Sequence, residues 1–324
     1  MAKFDVVVCG SATVDVFANT ESELIEIRSA DSSESLIAYP SGSKILIKEL
    51  IFEIGGGGTN TAVAFSRMGC KTGYVGCLGD DENAARVLNL LKKEKISFLG
   101  HSTGEQTGYS IILDSIEHDR TILTYKGAND HLKQRSIKPF TTQWFYFSSM
   151  MNGSFSTQKK LAKRAQKEGI NLAYNPSEYQ AKQGYQTLKP ILDATTVLIM
   201  NKEEAEYLAG FGTMDEILVR LHGFGIPVVC VTDGPRGVFA IDDAHYYSAK
   251  PSKVKVVETT GAGDAFASGF VSAYLKRNDV RDAIRVGIVN SESVITHYGA
   301  KNVLLSDRQA RQRVKDIHVK RRKR

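Results

Sequence analysis

Short runs of β-branched and aromatic residues alternate with helical patterns through most of this 324-residue chain. The apolar runs show no polar alternation, as in strands that are buried on both faces. Several of the helical patterns stop at a glycine, which commonly ends helices. This alternation predicts an α/β fold in which a mostly parallel central sheet is sandwiched by helices. The predicted strands are Phe4–Cys9, Thr72–Cys77, Trp144–Ser148, Asn171–Asn175, Thr196–Met200 and Pro227–Thr232, and the predicted helices are Asn60–Met68, Glu82–Glu94, Gln158–Glu168, Lys202–Leu208 and Met214–His222.

Two segments interrupt the alternation and predict a small β layer over one edge of the main sheet. Residues 16–54 contain no helical pattern and end in a strand-like run, and residues 107–126 predict a hairpin with strands Tyr109–Leu113 and Thr121–Tyr125. The run Gly55–Gly58 predicts a flexible junction. The predicted organisation is therefore an α/β domain of residues 1–15, 55–106 and 127–310, a β layer of residues 16–54 and 107–126, and a basic, disordered tail of residues 311–324.

The net charge of +6 is concentrated at one end of the chain. Residues 311–324 contain eight lysines and arginines against one aspartate, so they carry +7 and the rest of the chain carries −1. Such a tail predicts a solvated terminus, and binding to nucleic acid is the alternative from another functional class. No apolar run reaches the roughly 18 residues that span a membrane, and the first residues do not resemble a signal peptide. We therefore expect a cytoplasmic protein.

The stretch Glu258–Phe266, with the sequence ETTGAGDAF, is the strongest indication of chemistry. Gly261 and Gly263 allow a tight turn before a helix, where successive backbone N–H groups can converge on an anion. Asp264 falls in the first helical turn, where the helix dipole favours its ionised form. A carboxylate beside a phosphate cradle is where a kinase needs the base that accepts a proton from the attacking hydroxyl. The alternative is a glycine-rich turn with Asp264 as a capping residue.

Polar residues also follow several predicted strands. Asn60 ends a second glycine run that feeds a helix, and Asp15 lies shortly after the first strand. Asn201 and Glu204 begin a helix directly after another strand, and Thr232 follows the next one. Ligands of open α/β sheets gather at the carboxyl ends of the strands, so we expect these residues to share one site. A hinge, helix caps, a turn and a solvated carboxylate would explain each of them in isolation.

Taken in order, these motifs resemble those of the ribokinase/phosphofructokinase-B family of carbohydrate kinases. The resemblance covers about residues 4–305, and its fold would be ribokinase-like, with the β layer as a lid that closes over a sugar. It implies ATP-dependent transfer of the γ-phosphate to a hydroxyl group, with Mg²⁺ bound through the nucleotide phosphates. The motifs that carry it are Asp15, the run GGGGTN over residues 55–60, Asn201-x-x-Glu204, Thr232-x-Gly-x-x-Gly237 and Thr-Gly-Ala-Gly-Asp264.

The resemblance also implies a role for each motif residue. Asp264 would be the general base, and an anion hole, an acceptor site and a nucleotide site would surround it. The anion hole would consist of the N–H groups of Gly261, Ala262 and Gly263. The acceptor hydroxyls would bind Asp15, Gly56 and Asn60. The nucleotide would bind Asn201, Glu204, Thr232, Gly234, Gly237 and Asn290, and Asn201 and Glu204 would lie in the outer shell of Mg²⁺.

The acceptor is less constrained than the reaction. A sugar of the ribose or fructose type is the first expectation, a nucleoside the second and a sugar phosphate the third, because Lys44 alone offers little charge for a phosphate dianion. Glu258 stands where the family usually has aspartate, near a monovalent-cation site of some members, so cation dependence stays open. The apolar strand Ile45–Ile54 suits either a homodimer through paired lids or a lid packed on its own domain. A nicotinamide-dependent dehydrogenase is disfavoured because the dinucleotide fingerprint is missing.

Overall fold

A ten-stranded sheet forms the centre of the molecule in the computed structural model, which describes residues 1–20, 24–28, 33–37, 41–114, 120–297 and 299–324. The seven strands from Val228–Thr232 to Ser97–Phe98 run parallel, and three antiparallel strands extend one edge. In spatial order the ten strands are Val319–Lys323, His245–Ala249, Val238–Ile241, Val228–Thr232, Val197–Asn201, Asn171–Asn175, Phe140–Ser148, Ala2–Cys9, Thr72–Val75 and Ser97–Phe98.

Helices cover both faces of this sheet, which confirms the predicted fold class. Along the first strand, Val6 and Val8 pack into one buried cluster while Val7 and Cys9 pack into the other, because successive side chains point to opposite faces. The first cluster is covered by helices Gly57–Arg67, Glu82–Lys93, Ala262–Arg277, Val280–Val294 and Asp307–Arg313; the second by Asn152–Glu168, Glu178–Ala181, Gly184–Leu192, Lys202–Ala209 and Met214–His222. Short 3₁₀ turns span Gly127–Asp130, Gln134–Ser136, Gly234–Arg236 and Val314–Asp316.

The second glycine run differs from its prediction. The helix that was expected to begin at Asn60 begins at Gly57, so the run starts a helix and is not a flexible junction. Close packing explains why glycine is required there: a Cβ on Gly58 would lie 2.5 Å from the carbonyl carbon of Gly10. The turn after the first strand can therefore lie directly against the first turn of this helix.

The predicted β layer corresponds to a four-stranded sheet, but one of its strands begins at Thr13, so Asp15 lies in this sheet and not in the α/β domain as predicted. Asp15 lies opposite Glu53 on one neighbouring strand and opposite Ser110 on the other. Lys44 is exposed, and the hairpin turn at residues 115–119 lies outside the described residues, as do residues 21–23, 29–32 and 38–40. The strands are, in spatial order, Arg120–Tyr125, Gly108–Asp114, Thr13–Thr20 and Ile47–Gly55; two-stranded pairs join Leu24–Arg28 with Ser33–Ile37 and Cys77–Leu78 with His101–Ser102.

The carboxyl-terminal segment 311–324 was predicted to be disordered, and the structure corrects this. Strand Val319–Lys323 pairs antiparallel with strand His245–Ala249 and forms an edge of the central sheet. Val319 is buried, whereas the four residues after it are exposed. Edge strands commonly carry lysine and other charged residues, so a basic run is compatible with a strand as well as with a solvated tail. Within the described ranges, no helix is long and apolar enough to cross a membrane.

Candidate active site

A cavity of about 410 Å³ lies at the carboxyl ends of the parallel strands. The first turn of helix Ala262–Arg277 brings Asp264 to this cavity, and helix Lys202–Ala209 brings Glu204. The site expected from the sequence at this sheet edge is therefore present as a cavity. The strand-end residues that line it are Ser11, Ser148, Asn175, Asn201 and Thr232.

Asp264 is half-buried and is held by one amide. Its Oδ2 accepts a hydrogen bond of 2.8 Å from Nδ2 of Asn60. Burial raises the pKa of the Asp264 carboxyl to about 6; the bond from Asn60 and the charge of Lys301 act in the opposite direction. A carboxyl with a pKa this close to neutral is suited to accept a proton and then release it.

The glycine turn before Asp264 forms one wall of the cavity. Gly261 has a φ of 80°, and a Cβ there would lie 2.3 Å from Cβ of Ala300, so glycine is required. The N–H of Ala262 donates to the carbonyl of Thr259 at 3.1 Å. Gly261 and Gly263 line the cavity, whereas Ala262 does not. Of the three predicted anion-hole residues, two therefore line the cavity, and their role in binding an anion stays a prediction.

Asn60 links Asp264 to a buried lysine that sequence reasoning missed. Asn60 and Lys301 are each 6% exposed, and the Lys301 ammonium donates to Oδ1 of Asn60 and to the carbonyl oxygen of Ile54. Burial lowers the pKa of Lys301 to about 8, although nearby carboxylates oppose this shift. Its sequence context, a lone lysine after Gly299-Ala300, contains no pattern that predicts a site.

The predicted acceptor residues lie beside the cavity, at the junction of the small sheet and the α/β body. Oδ1 of Asp15 accepts a 2.7 Å hydrogen bond from Oγ1 of Thr13. A Cβ on Gly55 would lie 1.7 Å from Oδ2 of Asp15, so the carboxylate can pack here only against a glycine. Gly56 caps the helix with a φ of 90°. Asp15, Gly56 and Asn60 thus lie near one another, although none of them lines the 410 Å³ cavity.

Asn201 and Glu204 form a capping box at the opposite end of the cavity. Oδ1 of Asn201 accepts from the Glu204 N–H at 2.8 Å, and Oε2 of Glu204 accepts from the Asn201 N–H at 2.9 Å. Burial raises the pKa of Glu204 to about 7, and the charges of Glu203 and Glu178 act in the same direction. One or two carboxylates beside substrate phosphates are the usual protein ligands of Mg²⁺, so Glu204 fits a metal–nucleotide site.

The remaining predicted nucleotide residues separate into two groups. Thr232 lines the cavity, whereas Gly234 and Gly237 shape the turn that follows its strand, with Gly237 at a φ of 116°. Asn290 differs from its prediction: it is fully buried, its Nδ2 donates to the carbonyl of Ala265 at 2.7 Å, and its Oδ1 accepts from the N–H of Leu305 at 3.0 Å. Both ends of its amide bind backbone, which is a structural role and not contact with a nucleotide.

Lys126 is a second cation that sequence reasoning missed. It lines the cavity together with Asp264, and its Nζ lies 5.5 Å from the ring centroid of Tyr179. Burial lowers its pKa, while Asp130 acts in the opposite direction. The lysine directly follows strand Arg120–Tyr125 of the small sheet. Movement of that sheet would therefore move a positive charge within the cavity.

Comparison with known proteins assigns this site to an enzyme class. Residues 3–307 match the model of the pfkB family carbohydrate kinases. A ribokinase of Haemophilus influenzae is 28% identical over 76% of this chain and 83% of its own length, and a nucleoside kinase of Methanocaldococcus jannaschii is 27% identical over 77% and 82%. The structure of Arabidopsis thaliana ribokinase complexed with ribose and ATP has a TM-score of 0.79 at 20% identity and covers 97% of this chain and 99% of its own.

The family model and the curated relatives define a phosphotransferase that acts on an alcohol group. The chain belongs to the pfkB family of carbohydrate kinases, and the family supports the use of ATP. The family is shared by enzymes named for sugars and for nucleosides, so the acceptor has to be argued from this chain's own residues.

Proposed function

We propose that this protein transfers the γ-phosphate of ATP to a hydroxyl group of a ribose- or fructose-type sugar, with Asp264 as the general base. The observation that carries the proposal is the Asp264 carboxylate, hydrogen-bonded by Asn60 in the first turn of a helix and beside a glycine turn that lines the cavity. In this arrangement an anion-binding helix terminus and a proton acceptor lie next to each other.

Two carboxylates support a polyol as the acceptor. Asp15 and Glu53 are directly opposite each other on neighbouring strands. Carboxylates accept hydrogen bonds from hydroxyl groups and repel phosphate groups. The pair therefore favours an unphosphorylated sugar over a sugar phosphate, in agreement with the exposed position of Lys44.

In phosphoryl transfer, each of the residues around the cavity would have its own role. Asp264 accepts the proton of the acceptor hydroxyl as that oxygen bonds to the γ-phosphorus and the bond to the ADP oxygen breaks. Backbone N–H groups at Gly261 and Gly263 and the ammonium of Lys126 stabilise the charge of the transferring group. Glu204 and Asn201 would hold the nucleotide end, and Mg²⁺ bound there with the nucleotide would neutralise part of the phosphate charge.

The small sheet would act as the lid in this reaction. It contributes Asp15 and Glu53 on the acceptor side and leads directly into Lys126 on the phosphate side. Closure over a bound sugar would bring the cation and the two carboxylates to the substrate together and would exclude water as a competing acceptor.

A nucleoside is the second candidate acceptor, favoured by the 27% identity to the nucleoside kinase of Methanocaldococcus jannaschii. A nucleoside carries ribose hydroxyls that the same carboxylates could bind, but it also needs room for a base. The test is ATP consumption with ribose, fructose, adenosine and fructose 6-phosphate, with the Asp264→Asn variant as the control for background hydrolysis. Fastest turnover with ribose or fructose is expected; fastest turnover with adenosine or with the sugar phosphate contradicts the proposed acceptor.

A further inference from the structure

Lys301 has a buried charge that the proposed reaction does not yet explain. The residue follows helix Val280–Val294, and its main-chain carbonyl accepts a 2.5 Å hydrogen bond from Nη1 of Arg67. Its ammonium, by contrast, points to the end of strand Ile47–Gly55 and to Asn60. Lysines are rarely this buried unless they are paired, because desolvation of an ammonium is costly. The position therefore needs a reason that the fold alone does not give.

The ammonium determines which way the Asn60 amide points. An ammonium can only donate hydrogen bonds, so the amide atom that contacts Lys301 has to be the oxygen. The amide nitrogen then has to face the other way, and it donates to Oδ2 of Asp264 at 2.8 Å. Oδ2 of the base thus already accepts one hydrogen bond, and in the proposed reaction Oδ1 is the oxygen that accepts the proton of the acceptor hydroxyl.

The charged groups around Lys301 come from four different elements. Asp15, Glu53 and Asp264 favour its charged form, whereas Arg67 disfavours it. The influence on Asp264 is reciprocal, since Lys301 and Asn60 both oppose the burial and the Asp15 charge that raise the pKa of that carboxyl. Lys301 is thus the cation that offsets a concentration of carboxylates at the acceptor side of the site.

We propose that Lys301 is a positioning residue for phosphoryl transfer: through the amide of Asn60 it selects the oxygen of Asp264 that accepts the proton, and it keeps that carboxylate ionised. The inference rests on the proposed function, because it assigns a purpose to the geometry of the proposed base. Lys301 itself touches neither the cavity nor, in this scheme, the substrate.

The test compares Lys301→Met, which keeps the length of the side chain but removes charge and donors, with Lys301→Arg, which keeps both. With the best acceptor from the substrate panel, the Met variant should lose about tenfold or more in kcat, and the acid limb of its pH profile should move up by about one unit. The Arg variant should recover part of both effects. The Kd for ATP, measured by calorimetry, should change little in either variant.

A second comparison separates positioning from general damage. Because the choice of oxygen is inferred to act through Asn60, Lys301→Met should cost less in kcat in an Asn60→Ala background than in the unmodified protein, whereas independent effects would add. Full additivity in the double variant, or a Met variant with normal kcat and an unchanged pH profile, overturns the proposal.

A measurement without turnover keeps this inference distinct from the proposed function. Carbon-13 NMR titration of the Asp264 carboxyl should show a higher pKa in Lys301→Met than in the unmodified protein. If the Met variant does not fold, Lys301→Arg can be measured instead, and its Asp264 carboxyl should have a pKa close to that in the unmodified protein. An unchanged pKa in the Met variant, or a large increase in the Arg variant, contradicts the role of Lys301. A shifted pKa in a protein that phosphorylates none of the acceptors would leave this contact intact and contradict the proposed function instead.

Discussion

Two of the carboxylates that line the cavity, Asp264 and Glu204, are both partly buried, but they are stabilised in different ways. Asp264 has the amide of Asn60 and the charge of Lys301, and its pKa is raised to about 6. Glu204 has the backbone N–H of Asn201, while neighbouring acids add to the effect of burial and raise its pKa to about 7. Asp264 thus has a counter-charge from the protein, whereas Glu204 has an environment that favours an arriving cation such as metal-bound nucleotide.

Removal of the charge at Asp264 is expected to have the largest effect. Asp264→Asn should lower kcat at least about a hundredfold, because general-base catalysis typically contributes 10²–10⁴. Nucleotide affinity should be retained, since the residues proposed to bind the nucleotide, Glu204 and Thr232, are unchanged and also line the cavity. Steady-state kinetics and calorimetry with ATP measure the two quantities separately.

The matched control for that variant is Asp193→Asn, the same change at an aspartate that pairs with Lys189 on the surface. Turnover of this control should be unchanged. Near-normal turnover of Asp264→Asn would show that another group accepts the proton, and the comparison of the two carboxylates would then lose its catalytic meaning.

The pH dependence of kcat/KM for the acceptor should distinguish the titration of Asp264 from that of Glu204. A base whose pKa is raised to about 6 is protonated, and therefore inactive, below that pH, so kcat/KM should fall about tenfold per unit as the pH decreases further. Glu204, with a pKa of about 7, should add a second decrease in rate, which begins near pH 7 as the pH is lowered. This decrease should be seen only when the metal–nucleotide concentration is below the KM for the nucleotide. Profiles from pH 5 to 8 at saturating and limiting nucleotide test this; a profile that is flat down to pH 5 contradicts both assignments.

Glu204→Gln should affect nucleotide binding more than chemistry. Glutamine can still bond the Asn201 N–H and preserve the capping box, but the charge that attracts a metal–nucleotide complex is lost. We expect KM for the nucleotide to rise about tenfold, within the range observed for groups that support a metal site, and the component of the pH profile near 7 to disappear. A decrease in kcat with an unchanged KM would assign Glu204 to the chemical step.

Glu216→Gln is the matched control, because Thr213 and Glu216 form the same capping box at helix Met214–His222 outside the cavity. This control should leave KM unchanged. If both glutamine variants weaken nucleotide binding equally, the effect comes from helix stability and not from the lost charge at the cavity.

The nucleotide side and the acceptor side of the proposed site also differ in how well they can be predicted from the sequence. Asn201 and Glu204 are three residues apart, so their capping box is a local pattern that can be recognised directly. Asn60 and Asp264 are 204 residues apart and Asn60 and Lys301 are 241 apart. These contacts exist only after the sheet and the helices bring distant segments together. Periodicity predicted six of the seven parallel strands of the central sheet and several of its helices, but it contains no information about the buried lysine.

Two errors in the sequence predictions have the same physical origin. Asn290 was expected near the nucleotide from the family resemblance, and residues 311–324 were expected to be disordered from their local charge. In the structure Asn290 binds backbone at Ala265 and Leu305, and Val319–Lys323 gains its hydrogen bonds from strand His245–Ala249. In each case a distant partner, invisible in the neighbouring sequence, determines the conformation or the role.

The glycine turn before Asp264 offers a pair of substitutions with smaller effects, one on stability and one on activity. Gly261→Ala places a Cβ at a positive φ and 2.3 Å from Cβ of Ala300, so it should lower the free energy of unfolding by about 1–2 kcal/mol or more. A Cβ on Gly263 meets nothing within 4 Å, so Gly263→Ala should fold normally. Because Gly263 lines the cavity, its methyl group should nevertheless reduce kcat/KM.

Denaturant unfolding and steady-state kinetics on both variants check this pair. The expected outcome is a destabilised Gly261→Ala and a stable but slower Gly263→Ala. Normal activity of Gly263→Ala would show that no ligand comes close to its Cα during the reaction, and equal stability of the two variants would contradict the steric explanation for Gly261.

The smallest effect, on the free energy of unfolding, is expected when an exposed ion pair is removed. Arg322 pairs with Asp215, and their side chains are 58% and 60% exposed, whereas Lys301 is buried among carboxylates. Arg322→Ala should change the free energy of unfolding by less than about 1 kcal/mol, because solvent and salt screen exposed pairs. Denaturant unfolding at low and high salt measures this. A larger, salt-independent loss would assign the contribution to packing of the guanidinium on the Tyr246 ring, 4.1 Å from its centroid, and not to charge.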